Sequence, residues 1–156
     1  GPVYVRLGRS KVPVIFDENY KFKIGKGNIL KSGQDATVIA CGIMVSKALE
    51  AADILAGEGF DVEVINMASI KPIDKELIVE SAQKTGCVVT VEEHNIYGGL
   101  GSAVAEVLSC NNPVPLEMVG VNDIFGESGA PDELLEKYNL TKEEIVKKVK
   151  KVIERK

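Results

Sequence analysis

Glu92, Glu93 and His94, the last being the only histidine of the chain, stand side by side between an apolar run and a glycine-rich turn. Two carboxylates beside an imidazole could move a proton as acid and base, or could offer ligands to a metal ion. The apolar run is Val88-Val89-Thr90-Val91. Asn95-Ile96-Tyr97 follows the polar trio, and then Gly98-Gly99-Leu100-Gly101 opens a helix at Ser102-Ala103. This order places polar side chains at the carboxyl end of a buried strand, where open α/β sheets form the crevice that receives ligands or partner chains.

The glycines admit two readings. In one, Gly98, Gly99 and Gly101 let the backbone approach a phosphate whose charge is stabilised by the following helix N-terminus. A dinucleotide fingerprint needs Gly-x-Gly-x-x-Gly directly after the strand, whereas here Gly99-x-Gly101 is followed by Val104 at the third glycine position. Glu92 and Glu93 would also repel a phosphate. In the other reading, which the spacing favours, the glycines allow a tight turn and close helix packing. The carboxylates then hydrogen-bond backbone amides or a neighbouring subunit.

Cys41, Cys87 and Cys110 form no Cys-x-x-Cys pair, which suits neither a zinc site nor a disulfide framework. They read as small buried hydrophobes in a reducing compartment rather than as catalytic thiols. His94 has no second histidine with which to share a metal, so no metal site is expected.

The elements that must position these residues fit within one domain, because 156 residues of which 45% are hydrophobic and 27% charged suffice for a single core. A net charge of −4, with no basic patch interleaved with aromatic residues, argues against a nucleic-acid surface. No apolar run approaches the roughly 18 residues of a membrane span, and no signal peptide precedes the domain, so a soluble cytoplasmic protein is expected.

Val3 to Leu7 alternates as a strand, and Arg9 to Ile29 is mixed, broken by Pro13, Gly25 and Gly27 into a loop with one hairpin. From Ala36 the periodicity is regular. A strand over Thr37 to Cys41, a turn at Gly42 and a helix over Val45 to Ala56 are followed by a strand over Val62 to Met67. Pro72 and Asp74 begin a second helix that Gly86 ends. Cys87 to Val91 is a strand, Gly101 to Leu108 a helix, Pro115 to Val119 a strand and Asp132 to Tyr138 a short helix. The last helix runs from Thr141 to Arg155, with a capping box at Thr141 and Glu144. Its lysines, Lys147, Lys148, Lys150 and Lys151, read as a solvated face. Alternating strands and helices predict parallel pairing with right-handed crossovers, hence an α/β fold: a three-layer α/β/α sandwich around a mostly parallel sheet.

The glycine block, together with Ile124-Phe125-Gly126-Glu127-Ser128-Gly129 and Leu134-Leu135-Glu136-Lys137-Tyr138-Asn139-Leu140, resembles the carboxyl-terminal domain of transketolases. The likeness spans Ala36 to the end. It is closest to the form in which transketolase is encoded as two short polypeptides, and related domains occur in 1-deoxyxylulose-5-phosphate synthase and the beta subunits of 2-oxoacid dehydrogenases. The Phe125 to Gly129 loop favours transketolase.

What the resemblance implies is specific. Residues 1–35 would be the last strand of a pyrimidine-binding domain plus a linker, and residues 36–156 the carboxyl-terminal domain. Arg9 matches the family arginine that binds the substrate's sugar phosphate, with Arg6 second, and a guanidinium suits phosphate oxygens. Thiamine diphosphate and magnesium would be held by upstream domains, leaving no catalytic residue in this chain. Glu92, Glu93, His94, Gly98, Gly99 and Gly101 would then shape a loop against the pyrimidine-binding domain or a second subunit. The whole enzyme would move a two-carbon ketol unit between sugar phosphates as a homodimer assembled with upstream domains or an N-terminal subunit. This chain would be inactive alone. The competing expectation is a stand-alone module that binds a nucleotide or small anion.

Overall fold

Short runs of β-branched and small apolar residues, each closed by a glycine, asparagine or charged residue, become the strands of a single sheet. The computed structural model describes residues 1–8 and 11–156. The elements are β1 (Asn28–Lys31), β2 (Ala36–Ala40), α1 (Met44–Gly57), β3 (Val62–Asn66), α2 (Lys75–Thr85), β4 (Val88–Asn95), α3 (Leu100–Asn111), β5 (Leu116–Val121), α4 (Pro131–Lys137) and α5 (Lys142–Ile153). The sheet order is β1-β3-β2-β4-β5. β2, β3, β4 and β5 pair in parallel, and β1 closes one edge antiparallel to β3.

The core lies on both faces of the sheet, which is why the central strands are apolar throughout rather than alternating. Val38, Ala40, Val64, Val89 and Val91 point to one side and pack under α1 and α5 through Val45, Ala48, Leu55, Ile145, Val149 and Val152. Ile39, Ile65 and Val88 point to the other and meet α2 and α3 through Ile78, Ala82, Leu100, Val104 and Leu108. The chain is thus a three-layer α/β/α sandwich.

Helix ends follow local chemistry. Asp74 caps α2, accepting from the Leu77 amide at 3.5 Å, and Gly86 ends it in the left-handed region at φ 74°. Thr141 Oγ1 accepts from the Glu144 amide at 3.3 Å to start α5.

Several expectations need correction. Val3 to Leu7 is not a strand. Val3 and Leu7 are 83% and 84% exposed, and among the described residues no neighbour pairs with them, which an isolated strand needs. The expected hairpin before Ile29 is replaced by β1 alone, whose partner β3 lies far along the chain. β4 does not stop at Val91 but continues to Asn95. Cys87 is buried and Cys41 half-buried, yet Cys110 is exposed rather than a core residue. The lysines of α5 do not form a purely solvated face either: Lys148 and Lys151 each lie 3.1 Å from the buried Glu117 carboxylate of β5, which Arg155 also grips, while Lys150 pairs with Glu58.

Candidate functional site

The polar trio of β4 sits in a bulge. Val91 pairs with Val119 and Asn95 with Val121, so Glu92, Glu93 and His94 all oppose the single residue Gly120. A Cβ on Gly120 would lie 2.9 Å from the His94 carbonyl oxygen and 2.8 Å from Ile96 Cγ2, so only glycine leaves room for the extra residues. The bulge sorts the three side chains. Glu92 turns inward and is 1% exposed, whereas Glu93 and His94 face solvent.

Glu92 is committed to α3. Its Oε2 accepts from the Leu100 amide and its Oε1 from the Gly101 amide, both at 2.7 Å. A carboxylate against the positive end of a helix dipole is a favourable placement for a buried charge. Gly99 makes it possible, since a Cβ there would fall 2.0 Å from Glu92 Oε2. Gly101 lets α3 close on the sheet, as its Cβ would lie 2.8 Å from Met118 Sδ. Gly98 takes φ +78°, and its amide donates to Ser102 Oγ at 2.9 Å.

Residues that the motif reading passed over complete the loop. Asn95 Oδ1 accepts from the Tyr97 amide at 2.8 Å, and its Nδ2 donates to Asp123 Oδ1 at 2.9 Å. Ser102 Oγ donates to the Ile96 carbonyl at 3.2 Å. Asn95 and Ser102 were visible as side chains able to cap a turn. Gly120 and Asp123 carried no local signal, because their role depends on strand register.

This arrangement limits what the site can do. The two amides that a phosphate would use are taken by Glu92, so neither a nucleotide phosphate nor the diphosphate of thiamine diphosphate fits the glycine turn. Glu92 has both oxygens engaged, and among the described residues no group of three or more His, Cys, Asp or Glu side chains could hold a metal ion. Cys41 is no nucleophile: burial first, then the charges of Glu92 and Glu93, push its thiol up to about 11. Arg6 lines a cleft together with Lys47, Glu93 and Asp132, a surface of mixed charge. Arg9 lies outside the described residues.

Residues 25–145 match the family described as transketolase, C-terminal domain. Over its whole length the chain is 52% identical to a 6-deoxy-6-sulfo-D-fructose transketolase subunit of Clostridium sp., of which it covers 48%. It is 49% identical over 152 residues to a putative transketolase C-terminal section of Methanocaldococcus jannaschii, covering 96% of this chain and 47% of that protein. A 1-deoxy-D-xylulose-5-phosphate synthase of Trichormus variabilis is 41% identical over 153 residues, which are 96% of this chain and 24% of the synthase. A solved structure described as a split gene transketolase, inactive beta4 tetramer, is similar with a TM-score of 0.95 and 58% identity, over 100% of this chain and 51% of that one. The chain therefore spans about half the length of the transketolase relatives it matches. With the family matched over residues 25–145 and the fold shared with the split gene transketolase structure, the chain belongs to the transketolase C-terminal domain family.

Proposed function

We propose that this chain serves as the carboxyl-terminal domain of a split-type transketolase subunit, a dimeric cytoplasmic enzyme that transfers a two-carbon ketol unit from a ketose phosphate to an aldose phosphate. The observation that carries the reading is the commitment of Glu92 to the α3 amides. At the strand end, where a small-molecule site would form in such a sheet, the helix amides that would hold an anion are taken by the protein's own carboxylate. What it presents outward is a built edge, with Glu93, His94 and Tyr97 exposed and the loop beneath them tied down by Asn95 and Ser102. That edge suits assembly rather than catalysis.

In this reading thiamine diphosphate and magnesium belong to the upstream domains or N-terminal subunit. Residues 1–35 supply the last strand of the pyrimidine-binding domain and a linker, residues 36–156 form the carboxyl-terminal domain, and the exposed Val3 to Leu7 stretch, which is no strand in the chain alone, becomes one when it pairs with the upstream sheet. Arg9, with Arg6 as the second candidate, binds the phosphate of the sugar substrate. Glu93 and His94 face the pyrimidine-binding domain or the second subunit. The chain has no ketol-transfer activity by itself.

The test is ketol transfer from xylulose 5-phosphate to ribose 5-phosphate, with thiamine diphosphate and magnesium, by the chain alone and after addition of the upstream polypeptides. Activity in the mixture alone is expected. Activity of the chain alone would overturn the reading, and no transfer in a mixture shown to assemble would shift it to the chemistry of the related synthases, with which the chain shares 41% identity.

A further inference from the structure

Asp74 has more partners than a helix cap needs. As the N-cap of α2 it requires one oxygen, Oδ1, which accepts from the Leu77 amide. Its side chain is nevertheless 4% exposed, and two further donors reach it from residues 47 and 48 positions earlier in the chain. The Gly27 amide donates to Oδ2 at 3.1 Å, and Lys26 Nζ lies 3.1 Å from Oδ1 and equally far from Glu76 Oε2.

The backbone before β1 is shaped to this contact. A Cβ on Gly27 would lie 2.8 Å from Leu77 Cδ2 and 3.1 Å from Met67 Cε, so a side chain there would lift the segment off α2. Gly25 takes φ +79° and seats against Pro72, while the Lys26 amide closes the turn by donating to the Lys23 carbonyl at 3.1 Å. Further back, Tyr20 stacks on Phe16 and its hydroxyl donates to Asn28 Oδ1 at 3.1 Å, and Ile15 packs on the core under α1 and α5. Between these points Phe22 and Ile24 are exposed, so little apolar burial holds the run and the polar grip of Asp74 does the fixing.

We infer that Asp74 is a positioning residue: it latches the linker to α2 and so sets where the strand carrying Arg6 and Arg9 leaves this domain. The inference rests on the function proposed above, in which those arginines hold the phosphate of the sugar substrate. A linker free to swing would misplace them, and a shift of about 1 Å is enough to cost a large factor in such a contact.

Asp74→Ser separates the cap from the latch, because a serine still caps α2 but is uncharged and too short to reach Gly27 and Lys26 as well. In the chain alone helix content by circular dichroism should be unchanged, while the Gly27 amide should exchange with solvent at least about tenfold faster. In the mixture with the upstream polypeptides, at saturating xylulose 5-phosphate, KM for ribose 5-phosphate should rise at least about fivefold with kcat within about twofold of the parent. KM for ribose, which carries no phosphate, should stay as it was. Gly27→Ala leaves Asp74 and its cap in place and lifts only the segment, so exchange at residue 27 and KM should move in the same direction as in Asp74→Ser. Unchanged exchange at residue 27 in both variants, an unchanged KM for ribose 5-phosphate, or an equal rise for ribose would overturn the inference. A parent mixture that transfers nothing would instead overturn the proposed function, and exchange at Gly27 would still read whether the latch holds.

Discussion

With both oxygens of Glu92 engaged and the side chain 1% exposed, replacing the carboxylate strands backbone N–H groups away from water. Glu92→Gln keeps the shape but turns one acceptor into a donor facing an amide. An unsatisfied buried group costs about 1–3 kcal/mol, and here a charged acceptor at a helix N-terminus is lost as well. Urea unfolding of Glu92→Gln should therefore show a loss of about 2–3 kcal/mol. A loss below about 0.5 kcal/mol, the size of an ordinary surface change, would mean that the carboxylate does not hold α3. Thiol reactivity gives a second prediction at this scale. With Cys41 pushed up to about 11 by burial and by Glu92 and Glu93, only roughly a thousandth of it is thiolate at a pH near 8. Burial also raises the Cys87 thiol, so a disulfide reagent should find one fast thiol, Cys110, and two slow ones in the folded chain. Three equal rates would contradict the packing around β2 and β4.

Between elements, a cluster of ion pairs on Glu117 ties β5 to α5 and the residues just after it. Burial pushes the Glu117 carboxyl up, but hydrogen bonds from Lys148 and Lys151, with Arg155, outweigh this and hold it below the ordinary carboxylate value. A carboxyl lowered on folding stabilises fully above its unfolded value, near about 4.3, and that contribution is lost as pH falls through the folded value. Asp74 acts in the same sense, since the amide of Gly27 and the ammonium of Lys26 outweigh its burial. Glu117→Gln should thus cost about 1–2 kcal/mol at neutral pH, and the gap to the parent should close as the solution is acidified below pH ~4. A gap that persists at acid pH would show that packing, not charge, links the two elements. These ties also mark what was legible beforehand. Asp74, Gly86 and Thr141 act on residues within a turn of themselves, so the chain announces them locally. β1 was not announced, because its partner β3 is remote and the strand is half-buried at the sheet's edge. The sorting of Glu92 from Glu93 and His94 was hidden for the same reason, as the bulge exists only once Gly120 is set opposite them.

For the whole molecule, the strand and helix alternation after Ala36 dictates the parallel sheet and its two covered faces, and that much could be read directly. The stretch before it could not, because an alternating strand looks the same whether its sheet lies within the chain or elsewhere. Val3, Tyr4, Val5 and Leu7 are at least 69% exposed, Val12 and Val14 are exposed too, and Ile15 is where packing on the core begins. Removing residues 1–12 then takes away a stretch whose described side chains are exposed, and surface changes of that kind stay within about 0.5 kcal/mol each way, roughly 1–2 °C in Tm for a domain of this size. The shortened chain should melt within about 3 °C of the parent in a thermal scan. On the function proposed above it should nevertheless fail to give ketol transfer when mixed with the upstream polypeptides, since the proposed strand and both candidate phosphate-binding arginines, Arg6 and Arg9, go with it. A large drop in Tm would show that the stretch belongs to this core after all, while undiminished transfer would take the phosphate contact away from these arginines and place it on the upstream domains.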